Sequence, residues 1–146
     1  MPYSIDKYYP GISNLCWRQC GQVGTILHVL WSCISLRSFW ASVSKLVAEV
    51  TGMLNKVTVE QALLGINIDR YPPQLRTVVQ NILFAARLSI ARKWKCEDTP
   101  TRREVIQIVS ESCAHEKTLA VNAFKIQQFR SRWSAWNVYV QNNGPL

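Results

Sequence analysis

Tyr71-Pro72-Pro73-Gln74-Leu75-Arg76-Thr77-Val78-Val79-Gln80-Asn81-Ile82-Leu83-Phe84-Ala85-Ala86-Arg87-Leu88-Ser89-Ile90-Ala91-Arg92-Lys93-Trp94 decides the fold class. Leu75, Val78, Val79, Ile82, Ala86, Ile90 and Trp94 recur at helical spacing and make one long apolar stripe. The Tyr-Pro-Pro opening reads as a loop that hands over to a helix start, because proline suits a first helical turn. The spacing predicts a helix to about Lys95, ending before Thr99-Pro100.

The same period appears on both sides. Downstream, Thr101-Arg102-Arg103-Glu104 has the form of a capping box. It opens a helix carrying Val105, Ile108, Val109 and Ser112. A last helix is expected over Lys117 to Tyr139, with Leu119, Phe124, Ile126, Phe129, Trp133 and Trp136. Upstream, Thr58 caps a short helix to Leu63 or Leu64, with Glu60 and Gln61 in its first turn. From about Ile26, Leu27, Leu30, Trp31 and Ile34 set a helical pattern, which Phe39, Val43, Leu46, Val47 and Val50 continue to a stop at Gly52. The one candidate for strand pairing is a hairpin around Cys16–Thr25. Residues 1–14 read as an entry linker with a Pro10-Gly11 turn, and 141–146 as a frayed tail. The expected architecture is all-α: a small helical bundle, single-domain over 15–140, with a CCHC zinc-knuckle-like segment at 16–33.

Bulk properties narrow the function. A chain of 146 residues that is 48% hydrophobic can build a core. Lys and Arg number 17 against 9 Asp and Glu, a net charge of +8, which favours a polyanionic partner. Ordinary solubility charge is the competing reading. The longest apolar stretch, Ile26 to Leu36, is interrupted by His28 and Ser32 and is too short to span a bilayer, so no membrane partner is expected. Five cysteines is an odd count, and Met1-Pro2-Tyr3-Ser4-Ile5-Asp6 lacks the features of a signal peptide. Both point to a reducing, intracellular location, cytoplasmic and/or nuclear, with thiols free or metal-bound.

Cys16-Trp17-Arg18-Gln19-Cys20 … His28 … Cys33 has the spacing C-x3-C-x7-H-x4-C. Three thiols and an imidazole are the donor set of a tetrahedral zinc site. Gly21 and Gly24 supply turn positions between them. Trp17 and Arg18, in the loop, are placed to stack on bases and pair with phosphates. Against a shared metal, His28 and Cys33 stand roughly 140° apart on a regular α-helix. They can meet only if the helix starts after His28 or is distorted there. In the alternative reading His28 lies on a polar face and Cys33 is a small buried hydrophobe. Cys113 and His115 form a pair too small to close a site, and Cys113 reads as core.

Arg92, Lys93 and Lys95 end one helix and Arg102 and Arg103 open the next, a possible patch near Pro100. Arg76 and Arg87 share a face, and Arg130 and Arg132 flank Trp133. All are candidates for phosphate contact, against a reading as helix-end and solvated-face charge. Among the tryptophans, Trp31, Trp40, Trp94, Trp133 and Trp136 sit mostly on apolar stripes and read as core. No phosphate-cradling glycine loop, nucleophile elbow or H-E-x-x-H occurs, and the nine acids are scattered. The chain is therefore not expected to be an enzyme.

Tyr9 through Cys33 resembles the C-terminal cysteine-rich segment of the second open-reading-frame protein of LINE-type non-LTR retrotransposons. That family reads C-W-R-x-C-G-x-x-G-T-x-x-H-x-x-W-x-C, and Cys16 to Cys33 agrees at every fixed position. Ala62-Leu63-Leu64-Gly65-Ile66, Leu83-Phe84-Ala85-Ala86-Arg87 with Ile90-Ala91-Arg92-Lys93-Trp94, and Trp133-Ser134-Ala135-Trp136 are similar to later family segments, so the resemblance covers most of the chain. It implies that Cys16, Cys20, His28 and Cys33 are knuckle ligands. It also implies that the chain corresponds to a piece lying after the endonuclease and reverse transcriptase, with neither activity. The expected role is non-catalytic binding of template RNA or target DNA, RNA or single-stranded DNA being the partner, in target-primed reverse transcription. The alternative is a structural docking module that packs against the upstream reverse transcriptase portion.

Overall fold

The computed structural model describes residues 15–143, apart from Trp17, Gln19, Asn55, Lys95 and Glu97. The linker assigned to 1–14 lies outside the described residues. Five α-helices carry the fold: α1 (Arg37–Thr51), α2 (Val59–Leu64), α3 (Pro73–Arg92), α4 (Arg102–Asn122) and α5 (Ile126–Asn143). The all-α reading holds. Among the described residues no strand forms, and the hairpin expected near Cys16–Thr25 is reduced to one antiparallel bridge between Leu15 and Val23.

The stretch that sets the class becomes α3, which packs against all four other helices. Pro73 sits in its first turn, where a missing N–H costs nothing. Val78, Val79, Ile82, Leu83, Ala85, Ala86, Ser89 and Ile90 are buried, a wider band than the single stripe of the sequence. Each fully buried large aliphatic there contributes roughly 1.5–3 kcal/mol. Ala85, Ala86 and Ser89 add little volume, and Ser89 Oγ donates back to Ala85 O at 2.9 Å, so its hydroxyl is satisfied inside the core. The helix ends at Arg92, short of Lys95, because the Lys93 amide bonds Ile90 O in a tightened last turn. Trp94, expected on the buried stripe, is thereby left exposed.

The caps form largely as the sequence indicates. Thr58 Oγ1 accepts from the Gln61 amide, and Gln61 Oε1 accepts from the Thr58 amide, a complete capping box. Gly52 and Gly65 end α1 and α2 in the left-handed conformation. Thr101 caps α4 through the Glu104 amide at 3.3 Å, but the Glu104 carboxylate turns to Lys93 Nζ at 2.5 Å, so the box is half made.

The α4–α5 boundary differs from expectation. Residues 112–117 are helical, and the break falls at Ala123–Lys125. Cys113 packs in the core, and Glu116 Oε2 accepts from Trp133 Nε1 at 2.6 Å, which holds this stretch in helix. The stop is a left-handed cap on Phe124 (φ 58°), with the Phe124 amide bonding Val121 O and the Lys125 amide bonding Ala120 O. α5 also runs on to Asn143, taking in the first part of the segment read as tail. No described helix is long and apolar enough to cross a membrane.

Candidate metal centre

The helix expected from Ile26 to Val50 is interrupted where the cluster needs it to be. His28–Ser32 is wound as a π-turn, Cys33 is extended (φ −59°, ψ 130°), and Ile34–Leu36 is a 3₁₀ turn leading into α1. The Cys33 amide donates to His28 O at 2.9 Å, an i to i+5 bond. That wider turn brings the fifth residue back under the first, so the angular objection to His28 and Cys33 sharing a metal does not hold.

Local contacts position the loop and the turn that carry the donors. Thr25 Oγ1 accepts from the His28 amide at 3.2 Å, as an N-cap would. The Cys16 amide bonds Gln22 O at 2.9 Å, and Gly21 takes φ +85° to close that loop, a conformation glycine adopts freely. Trp40 of α1 donates from Nε1 to Leu30 O at 2.9 Å, and its ring lies 5.0 Å from Trp31. These two contacts dock the π-turn on α1. In the sequence Trp40 reads as core and Thr25 enters only as a fixed position of the family pattern, with no role at the site. Thr25, three residues before His28, carries the only signal that could have marked one of them.

The four donor atoms of Cys16, Cys20, His28 and Cys33 lie within 4.8 Å of one another and could hold a metal ion. Cys16 and Cys33 sulfurs are 4.0 Å apart, and Cys20 Sγ is 3.1 Å from His28 Nε2. Cys16, His28 and Cys33 are buried and Cys20 is half-buried. Burial, then the charge of Arg18, pushes the His28 pKa down and keeps the imidazole in its neutral, ligating form. Burial pushes Cys16 up. Burial also opposes ionisation of Cys33, but hydrogen bonds from Ser35 and Arg18 outweigh it and lower its pKa.

The cations proposed to meet phosphate fall into two groups. Arg18 is turned inward and only 7% exposed, with Nη1 3.8 Å from Cys16 Sγ, so it does not present itself to a polyanion. Arg76 donates to Tyr71 O at 2.9 Å and Asp69 O at 3.3 Å. Arg87 donates to Ala62 O at 2.7 Å and ties α2 to α3. Lys93 pairs with Glu104, Arg102 with Glu49 and Tyr139, and Arg132 with Glu116. Arg92, Arg103 and Arg130 are exposed and carry no ion pair among the described residues. Trp17 and Lys95 lie outside the described residues. No model of a known protein family matches the chain.

Proposed function

We propose that the chain is a non-catalytic nucleic-acid-binding module organised around a structural zinc centre. It corresponds to the C-terminal cysteine-rich region of a LINE-type retrotransposon second-open-reading-frame protein. The observation that carries this is the convergence of Cys16, Cys20, His28 and Cys33 on one point, despite a spacing that a regular helix would not tolerate. Tetrahedral zinc with its usual bond lengths places sulfurs about 3.8 Å apart and sulfur and nitrogen about 3.6 Å apart. The Cys16–Cys33 sulfurs, at 4.0 Å, lie slightly wider than the first value, Cys20 Sγ and His28 Nε2, at 3.1 Å, lie closer than the second, and no pair of donors is more than 4.8 Å apart. Four protein donors leave no open position on the ion, so its contribution is to the fold of residues 15–36.

The net charge of +8 supports a polyanionic partner. Arg92, Arg103 and Arg130 are the described candidates for phosphate contact, and Arg18 drops out. Three such contacts on a single strand correspond to a log–log salt slope of about −2.

The test is binding of the full chain to a labelled single-stranded RNA across a salt series, with and without a zinc chelator. Salt-sensitive binding that is lost on chelation supports a working knuckle. Salt-sensitive binding that survives chelation leaves the helical cations as the contact surface and the centre as fold. Absence of binding in both conditions overturns the proposal. It would favour docking against an upstream reverse transcriptase, a reading supported by the exposed apolar side chains Ile34, Leu54, Leu64 and Phe124.

A further inference from the structure

Arg18 is the buried cation that the fold does not explain. No carboxylate among the described residues pairs with it. Its Nε and Nη2 are buried without a hydrogen-bond partner in good geometry, Nη1 lies 3.8 Å from the sulfur of Cys16, and the guanidinium helps to lower the pKa of Cys33. A guanidinium stays charged in a protein, so an interior one needs a compensating negative charge. Nothing in a set of neutral thiols provides it.

A divalent ion on the cluster changes the charge count. Three thiolates, one neutral imidazole and a +2 ion sum to −1, and that charge resides largely on the sulfurs. We infer that Arg18 is an outer-sphere partner of the metal centre, whose guanidinium neutralises the tris-thiolate site and donates N–H groups to its sulfurs. The inference rests on the zinc reading above and deepens it: this arginine serves the metal, not phosphate. Sulfur-directed N–H groups fix the ligand rotamers and lower the charge density on the thiolates, as outer-shell partners do elsewhere. The orphaned Nε and Nη2 are the donors that a filled, anionic site would use.

The experiment compares the wild-type chain with Arg18→Met, which keeps the length and loses the charge, and Arg18→Lys, which keeps the charge. Cobalt titration reports tetrahedral thiolate coordination, competition with a chromophoric chelator gives zinc affinity, and thermal melts are run with and without zinc. We expect Arg18→Met to weaken zinc binding 10- to 100-fold, with Arg18→Lys recovering part of the loss. The melts should move in opposite directions. Metal-free Arg18→Met melts at or above the metal-free wild type, because an uncompensated buried charge is gone, while the zinc-loaded variant melts below its wild-type counterpart.

Equal zinc affinity in wild type and Arg18→Met overturns the inference and leaves the zinc reading standing. Loss of stability in both metal-free and zinc-loaded forms overturns it in favour of a packing role. Unchanged zinc affinity with weakened RNA binding would return Arg18 to phosphate contact. A wild-type chain that gives no tetrahedral cobalt spectrum refutes the zinc reading itself, and the inference with it.

Discussion

Phe124 should be replaceable by glycine with a gain in stability. It holds φ 58° at the junction of α4 and α5, in a region that strains any residue with a β-carbon. Its side chain is 94% exposed, so truncation forfeits almost no burial. Left-handed backbone costs a non-glycine residue roughly 1–2 kcal/mol. Glycine returns roughly 0.5–1 kcal/mol of that through the greater freedom of its unfolded chain. The balance is a net gain of about 0.5–1 kcal/mol, or ~1–4 °C in Tm for a domain of this size. The amides of Phe124 and Lys125 keep their bonds to Val121 O and Ala120 O, because neither involves a side chain. Phe124→Ala is the control: it removes the same ring but keeps the β-carbon and the strain, so its Tm should stay near wild type. Differential scanning calorimetry on the three proteins decides the matter. A lower Tm for Phe124→Gly, or an equal rise for Phe124→Ala, would refute the strain argument and show that the ring itself is what matters.

Zinc at a hundredfold excess over its dissociation constant should stabilise the chain by about 2.7 kcal/mol; a chelator should therefore lower Tm by roughly 5–10 °C, and an unchanged melt would count against a metal centre. Thiol labelling of the zinc-loaded chain should modify exposed Cys96 first and Cys113 last, since burial pushes Cys113 up to about 11. A raised thiol pKa means a small thiolate fraction at neutral pH, so Cys113 labelling should climb about tenfold per pH unit until roughly that value; a pH-independent rate would contradict the assignment. Trp133→Phe removes the Nε1 bond to Glu116 and part of a fully buried ring, so chemical denaturation should show a loss of about 2–3 kcal/mol. A loss below about 0.5 kcal/mol would mean that the Glu116 contact does not hold α4 and α5 together.

The bundle was legible because its signals are local. Pro73, Thr58 with Gln61, Gly52 and Thr101 each announce a helix end by a chemistry confined to one turn. The α4–α5 junction was not, because Phe124 supplies neither glycine nor proline at the break. The polar run through Glu116 looks like a loop until its carboxylate is seen to meet Trp133, 17 residues away. The cluster that could hold a metal was legible by residue type, and the one geometric condition set by its spacing, a distortion at His28, is what the structure supplies. The direction of a long cationic side chain has no comparable signal. Arg76, Arg87 and Arg102 spend their guanidiniums on carbonyls and carboxylates brought close only by tertiary packing, and Arg18 points at sulfur.

The π-turn between His28 and Cys33 makes chain length and coordination geometry a single variable. An ordinary helical turn would serve ligands four residues apart; this segment has one residue more, absorbed by widening the turn. Relaxation of the widened turn to α winding would swing Cys33 away from His28 by roughly 140°. For an ion held by both side chains, release and rewinding would be one event, and the kinetics of metal exchange would report on backbone conformation. The docking of Trp40 on Leu30 O resists that rewinding from the side of α1. A mutation in the core of the bundle would then alter how long such an ion stays bound without touching any donor atom.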